Sequence, residues 1–326
     1  MNFDFGKILN FAFFDWFKQK GAVKYLAAYF IVLAALTLGT NYLISILASP
    51  LVGSVTWDET TLNAFIYLMG SVLTISIVLG VILSAIAYVL IGKALKAKGR
   101  NYEKLTAEKW VKFIVLGLAE IIASVFSVYK LKLLLIPVGA IITGLISIVL
   151  LTFFESGNWV VGVIGILLLL ISLLLSFVYC VIIIHNAYRL ILSPAIFVEG
   201  KSVTQALRLS WETTRGNVLN IFVLIIIVGV TAAVLGWIVS IPASLNQGAA
   251  LIGAAENSNT FANLASPVSI ALSIPAIIVQ AIMIVVEMFA IVGLYDMLDK
   301  KIQTSKKQVP LAVTKKRSVL KAKKKK

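Results

Sequence analysis

The sequence predicts an all-α protein, a polytopic transmembrane helical bundle of about six spans, and three observations predict it. Of its 326 residues, 60% are hydrophobic and 13% are charged, whereas a soluble domain carries about 25% charged residues. Its apolar runs repeatedly reach the roughly 20 residues that a helix needs to cross a bilayer. Stretches such as 221–230 are apolar at every position, whereas the strands of a transmembrane barrel alternate between apolar and polar residues. A soluble globule and a barrel are therefore excluded.

The first predicted element is an amphipathic helix within residues 1–22, lying on the membrane surface. One face of its helical wheel is apolar and carries Phe5, Ile8, Leu9, Ala12 and Trp16. Phe11 and Phe14 break this pattern. Since a helix with one apolar and one charged face lies flat at the bilayer interface, we expect an interfacial helix here.

Six apolar runs within a membrane domain of residues 23–299 are predicted to cross the bilayer. They are residues 25–47, 63–92, 133–154, 159–184, 218–241 and 268–297. A single helix over residues 113–154 would be about 63 Å long, about twice the thickness of the hydrocarbon layer. Lys130 and Lys132 also lie near its middle. Residues 113–129 are therefore predicted to form a short helix that either lies in the membrane plane or re-enters.

The distribution of Lys and Arg predicts the orientation in the cell membrane. With a cytoplasmic N-terminus, the external segments 48–62, 155–158 and 242–267 contain no Lys or Arg. If residues 113–129 turn back, all 29 basic residues lie on the cytoplasmic side, as the positive-inside rule demands. Both termini are then cytoplasmic.

Residues 300–326 are predicted to form a disordered, basic cytoplasmic tail. They contain twelve Lys or Arg residues and no acid, a composition that does not support a packed core and that attracts anionic lipid headgroups. The tail has no aromatic residue on which a base could stack. Lipid is therefore the expected partner, and nucleic acid is not.

A short amphipathic cytoplasmic helix is predicted over residues 202–215. Ser202 and Gln205 have the spacing of a capping box, and Gly216 supplies a stop. The residues expected to dock this segment or to meet phosphate or a partner are Glu199, Ala206, Leu207, Arg208, Ser210, Trp211 and Arg215. Two interpretations stay open: a solvated interfacial linker, or a docking surface for a partner or a lipid headgroup.

The same region carries a resemblance to a known family. The matching residues are Pro194, Val198, Glu199, Gly200, Ala206, Leu207, Ser210, Trp211, Thr214 and Gly216. This pattern resembles the membrane domain attached to some glycerophosphoryl diester phosphodiesterases, and related uncharacterised six-span prokaryotic families. The resemblance implies a multi-pass domain of poorly defined function. It does not imply hydrolysis, because the catalytic part of those enzymes is a separate (β/α) barrel of about 250 residues.

Two carboxylates are predicted to lie inside the membrane, Glu120 and Glu287. An ionised group at the centre of a spanning helix costs about 2.5 to 3.5 kcal/mol on insertion scales. Each is therefore either protonated or hydrogen-bonded within the bundle, or part of a proton or cation relay. The chain has one cysteine, Cys180, and one histidine, His185, so no metal or other cofactor is expected.

The function favoured by these features is that of a non-enzymatic scaffold or auxiliary membrane domain. Its partners would be the bilayer, anionic headgroups and another membrane protein, and the resemblance suggests a link to lipid or envelope homeostasis. The alternative is a small transporter or lipid-translocating protein with a pathway lined by Glu120 and Glu287. That alternative requires both carboxylates to face one polar cavity.

Overall fold

A computed structural model describes residues 3–19, 21–47, 59–126, 132–155, 159–254 and 267–308. Within these ranges the chain is helical and has no strand. The elements are α1 (Phe5–Phe13), a 3-10 helix (Asp15–Lys18), α2 (Ala22–Leu47), α3 (Glu59–Ala97), α4 (Ala107–Val125), α5 (Leu135–Glu155), α6 (Trp159–Leu190), α7 (Ser193–Val198), α8 (Val203–Thr213), α9 (Val218–Ala254) and α10 (Pro267–Gln308).

Six of the described helices are long and apolar enough to cross a membrane, namely α2, α3, α5, α6, α9 and α10. The prediction of an all-α bundle with six spans is therefore confirmed. Predicted and observed spans start within about four residues of one another, although several helices extend further than the apolar runs. α4 is not one of these six helices.

The last helix, α10, lies at the centre of the bundle. In its most apolar stretch 56% of the residues are buried, against none in α6. Val285, Val292 and Phe289 of α10 are fully buried, and α10 packs against α1, α2, α3 and α9. The core is therefore built around the C-terminal half of this helix.

The N-terminal helix α1 occupies the middle of the segment predicted to be amphipathic. Asp4 caps it by accepting a hydrogen bond from the backbone N–H of Lys7. Ile8 is buried against α10, and so is Phe11, whose ring centroid lies 5.3 Å from that of Phe289. The apolar face thus packs on α10, and the helical-wheel assignment was wrong for Phe11 because α10 lies on that side of the helix. Phe14, in contrast, is 63% exposed.

The basic loop between α3 and α4 is shorter than predicted. α3 continues to Ala97, and Gly99 follows it with a φ of 71°, a conformation that favours glycine. Thr106 then caps α4 by accepting from the backbone N–H of Lys109. The helix predicted at 113–129 therefore begins six residues earlier, at Ala107, and ends at Val125. Lys130 lies outside the described residues.

α4 lies across the bundle between α3 and α6. Near its start, the Trp110 indole N–H donates to the Ser84 hydroxyl on α3 over 2.9 Å. At its end, the Tyr179 hydroxyl on α6 donates to the Val125 carbonyl. These contacts place α4 between α3 and α6, and whether this segment crosses the membrane or re-enters stays a prediction.

Small residues bring α5 and α6 close together. The Ser147 hydroxyl donates to the carbonyl of Gly165 over 2.8 Å, and the Ser172 hydroxyl donates to the carbonyl of Ala140 over 2.7 Å. Close approach at small side chains with polar contacts is typical of helix packing in membranes. These contacts fix α5 and α6 as a hairpin.

α10 continues to Gln308, nine residues into the segment predicted to be a disordered tail. The helix persists because residues 294–308 contain no Gly or Pro, and Pro310 follows shortly after its end. Within it, Lys300 pairs with Asp296 at the i, i+4 spacing. The rest of the predicted tail, residues 309–326, lies outside the described residues.

Candidate functional site at the basic end of the bundle

The ends of α3 and α10 meet α7 and α8 at one end of the molecule, called here the basic end. Arg100 follows α3, Glu199 follows α7, and Asp296 and Asp299 lie near the end of α10. Because the Arg100 side chain contacts the other three, these residues place α3, α7 and α10 at the same level of the bundle.

Arg100 binds three carboxylates at once. Its Nη1 lies 2.9 Å from Glu199 Oε1, its Nε 3.1 Å from Asp296 Oδ1, and its Nη2 2.7 Å from Asp299 Oδ2. The Arg100 side chain is 13% exposed, and its guanidinium lies over the ring of Tyr295 at 4.5 Å. Fork geometry allows one arginine to satisfy several carboxylates, which a lysine does less well. These residues form the Arg100 cluster.

The electrostatics of the Arg100 cluster favour ionised groups. Burial alone lowers the pKa of Arg100, but hydrogen bonds to the three carboxylates outweigh burial and hold that pKa above its ordinary value. The Tyr295 hydroxyl donates to Glu199, and the Lys300 ammonium donates to Asp296 over 2.7 Å. The cluster therefore ties α7 and α10 to the segment that follows α3.

A tight backbone contact holds this segment against α7. The backbone N–H of Glu103 donates to the carbonyl of Val198 over 2.9 Å. Gly200 has a φ of 112°, and a Cβ at this position would lie 3.1 Å from the Glu103 carboxylate. Only glycine combines this φ with this close approach. The local structure thus requires glycine at position 200, which is one of the residues that carry the family resemblance.

α8 is docked on the end of α6 through small polar residues. The predicted capping box of Ser202 and Gln205 is present. The buried Ser210 hydroxyl donates to the carbonyl of Arg189 over 2.8 Å, and the Thr214 hydroxyl lies 3.1 Å from the same carbonyl. Ala206 is completely buried between these contacts. Both hydroxyls thus bond to the Arg189 carbonyl, one of the carbonyls that the end of α6 leaves without a helical partner.

The other predicted docking residues divide between the two faces of α8. Leu207 packs partly buried against the core. Trp211 stacks on the guanidinium of Arg189 at 3.8 Å, and Arg189 also donates to the carbonyl of Trp211. Arg208 is 75% exposed and pairs with Glu212 over 2.9 Å, and Arg215 is exposed as well. We call Gln205, Arg208, Glu212 and Arg215 the outer face of α8.

Glu199 does not belong to the outer face of α8, although the sequence predicts it to be one of the docking residues of this segment. It lies in the Arg100 cluster instead, because α7 ends beside α10 and not beside the exposed side of α8. Nothing local could reveal this contact, since Arg100 is 99 residues away and Asp296 is 97 residues away in the chain.

The two carboxylates predicted to lie inside the membrane have different surroundings. Glu120 on α4 contacts the Ser193 hydroxyl at the start of α7. Glu287 on α10 lines a cavity of about 380 Å³ between α9 and α10, together with Gln280. Glu120 is not among the lining residues of that cavity. This cavity is therefore not one that the two carboxylates share.

Glu120 is a buried acid with a raised pKa. Burial raises the pKa of Glu120 to about 7, while the hydrogen bond from the Ser193 hydroxyl partly opposes this shift. The same hydroxyl also lies within hydrogen-bonding distance of the Leu190 carbonyl, and it has only one proton to donate to these two acceptors.

Among the residues that the structure describes, no group of three or more His, Cys, Asp or Glu side chains could hold a metal ion. Cys180 is exposed on α6.

The fold and this site define a multi-pass helical membrane protein whose basic end is organised by an arginine-centred ionic cluster and a docked amphipathic helix. Within that class the chain belongs to the DUF7847 family, a domain of unknown function, whose model matches residues 19–298. No curated protein and no solved structure matches the chain. The resemblance to the glycerophosphoryl diester phosphodiesterase membrane domain stays a prediction.

Proposed function

We propose that the protein is a non-enzymatic membrane scaffold that presents the outer face of α8 to a partner protein. This proposal rests on the observation that the two faces of α8 differ in exposure. The inner face packs against α4, α6 and α7, while Arg208 and Glu212 on the outer face are 75% and 57% exposed. From the resemblance to the glycerophosphoryl diester phosphodiesterase membrane domain, we propose that the scaffold is an auxiliary domain in lipid or envelope homeostasis.

Rigid presentation supports a binding role for this face. The buried hydroxyls of Ser210 and Thr214 fix α8 to the end of α6, and Arg189 clamps Trp211. A surface that is already ordered loses little conformational entropy when it binds. The two arginines of the outer face match acidic groups on a partner, since a guanidinium binds a carboxylate through two parallel hydrogen bonds.

The test is site-specific photo-crosslinking in native membranes. A photoreactive residue replaces Gln205 on the outer face, and a matched control replaces Glu108, which is exposed on α4. We expect a discrete protein adduct at position 205 and not at position 108. Arg208→Ala combined with Arg215→Ala should abolish the adduct and the stoichiometric co-purification of the same protein. An adduct that forms with lipid alone, or that persists in the double variant, would contradict the proposal.

A small transporter or lipid-translocating protein is the second candidate, favoured by the cavity that Glu287 and Gln280 line between α9 and α10. With Glu120 elsewhere, a pathway would depend on Glu287. Flux of protons or ions into reconstituted vesicles would support this candidate if Glu287→Gln abolishes it. Vesicles without any such flux would leave the scaffold as the sole proposal.

A further inference from the structure

A second cavity lies at the basic end, between α1 and the C-terminal part of α10, and its volume is about 340 Å³. It is called here the Lys98 cavity. Its charged lining consists of Lys7, Lys98, Lys300, Lys301, Asp4 and Asp296. Four lysines and two aspartates leave a net positive charge. A volume of this size is in the range of small-ligand sites, about 300 to 1,000 Å³.

Both aspartates of the Lys98 cavity are already neutralised by the protein. Asp4 accepts a hydrogen bond from the backbone N–H of Lys7 over 3.1 Å, and it pairs with the Lys7 ammonium over 3.0 Å. Asp296 binds both Arg100 and Lys300. The charge of each aspartate is therefore partly compensated by a cation that it contacts.

Of the four lysines that line the Lys98 cavity, Lys98 and Lys301 form no ion pair with a carboxylate of the described residues. The Lys98 ammonium lies over the ring of Phe11 at 3.7 Å, and Lys301 donates to the amide oxygen of Asn217 over 3.2 Å. Burial lowers the pKa of Lys98, and the attraction of Asp296 and Asp15 opposes this shift without cancelling it. A bound anion would therefore add stabilisation that burial removes from the Lys98 ammonium.

The remaining walls of the Lys98 cavity are apolar and include Phe3, Ile8, Met297 and Leu298. They adjoin α10, one of the six helices able to span the membrane. A ligand that carries a phosphate next to apolar groups at the end of a membrane helix is a phospholipid. Its phosphate would face Lys98 and Lys301 while its glycerol and upper acyl carbons contact the apolar wall.

We propose that the Lys98 cavity binds the phosphate group of an anionic phospholipid, with Lys98 and Lys301 as its counter-ions. The net charge of the lining, four lysines against two aspartates, matches a phosphate monoester, which carries a charge of about −1.5 to −2 at neutral pH. Phosphatidic acid is therefore the best probe. This inference does not depend on the outer face of α8, so either proposal can fail alone.

The experiment measures lipid retention by the purified full-length chain with native mass spectrometry. Phosphatidic acid is the probe, and phosphatidylcholine is the neutral comparison. We expect Lys98→Gln combined with Lys301→Gln to weaken retention of phosphatidic acid by at least about tenfold, as loss of charge-assisted hydrogen bonds implies. Lys98→Arg should keep the charge and most of the binding. Thermal melting in the same detergent verifies that each variant is folded.

Lys96→Gln is the matched control, because Lys96 is exposed in the last turn of α3, two residues before Lys98, and does not line the cavity. Repeating the measurement at about 1 M salt, where the Debye length is about 3 Å, removes the general attraction of surface lysines. Retention that survives salt and depends on Lys98 and Lys301 supports the site.

A second arm identifies the source of the phosphate. Inorganic phosphate is titrated alone and its effect on the melting temperature is followed in the same variants. A Lys98-dependent response to inorganic phosphate that exceeds the response to phosphatidic acid would overturn the lipid assignment. Equal losses in the Lys96→Gln variant and the Lys98→Gln, Lys301→Gln variant would overturn the cavity as a binding site.

Discussion

Arg100 is the residue on which the contacts of the basic end converge. Each of its three carboxylate partners has a side chain that is 27% exposed or less. Carboxylates withdrawn from water in this way are stable only while their cation is present, since each would otherwise have to protonate or regain solvent. The cluster therefore acts as one unit in which the arginine is the shared member.

Replacing Arg100 is predicted to destabilise the protein strongly. Arg100→Ala leaves three carboxylates close together with only Lys300, which contacts Asp296, to balance them, and breaking a buried ionic network costs about 3 to 5 kcal/mol. Arg100→Lys should recover part of this loss, because it keeps the charge but not the fork. Thermal or denaturant unfolding in detergent measures both effects.

The matched control for Arg100 is Arg208→Ala. Arg208 also pairs with a glutamate, but its side chain is 75% exposed, so the expected loss is no more than about 0.5 kcal/mol. Similar losses for the two alanine variants would show that the Arg100 cluster does not hold the basic end together.

Glu120 is predicted to make stability depend on pH. Its pKa in the folded protein is about 7 and its ordinary value is 4.5, so between these values the folded chain binds a proton that the unfolded chain has released. Stability should fall as the pH rises from about 4.5 to 7, and the total loss is about 3 kcal/mol. Glu120→Gln removes this dependence.

Melting temperatures of the wild-type protein and Glu120→Gln, measured between pH 4.5 and 8.5, check this sign. The two proteins should melt alike at acidic pH, and the glutamine variant should be the more stable one above pH 7. Ser193→Ala is a useful companion, since it removes the hydrogen-bonding partner while leaving the acid. If the wild-type protein gained stability on alkalinisation, Glu120 would not be a neutral buried acid.

Among the elements, α8 and α1 show which structural features a sequence can reveal. The inner and outer faces of α8 follow from a 3.6-residue periodicity that is complete within 14 residues, and the structure confirms them. Amphipathicity likewise predicts that α1 forms, but it does not predict what covers the apolar face, because that depends on α10, nearly 280 residues away. The Arg100 cluster was missed for the same reason: its ion pairs join Arg100 to residues 99 to 199 positions away.

The contact between α1 and α10 depends on the absence of a side chain at Gly293. A Cβ at Gly293 would lie 3.1 Å from Phe11 and 3.4 Å from Ile8. Gly293→Val is therefore predicted to push α1 away from α10 and to cost about 1 to 3 kcal/mol through overpacking. Hydrogen exchange over residues 5–13 should rise together with this loss of stability.

Gly80→Val is the control for this contact. It introduces the same β-branched residue into the helix α3, where a Cβ would meet nothing within 4 Å. It should leave hydrogen exchange of α1 unchanged. Protection of α1 that survives Gly293→Val would mean that this helix is not held by close packing on α10.

On the scale of the whole molecule, charge and packing divide the protein into two unlike ends. The contacts at one end bring together Arg100, Arg189, Lys300 and the outer face of α8. The apolar helices α5 and α6 extend away from it with most of their side chains exposed, as expected for surfaces that face lipid. From the positive-inside rule we predict that the basic end faces the cytoplasm, where the proposed partner would then be met.

The orientation of the protein in the membrane is tested by cysteine labelling of intact cells. Cys180→Ser removes the one native cysteine, and single cysteines are then introduced by Arg208→Cys on the outer face of α8 or by Ser54→Cys in the predicted external segment. A membrane-impermeant maleimide added outside should label position 54 and reach position 208 only after the cells are lysed. This pattern follows because moving the basic end outwards would place nearly all of the chain's cations on the wrong side of the bilayer. Labelling of position 208 in intact cells would show that the basic end faces outwards. The scaffold proposal would then lose its cytoplasmic partner, and the Lys98 cavity would face the headgroups of the opposite leaflet.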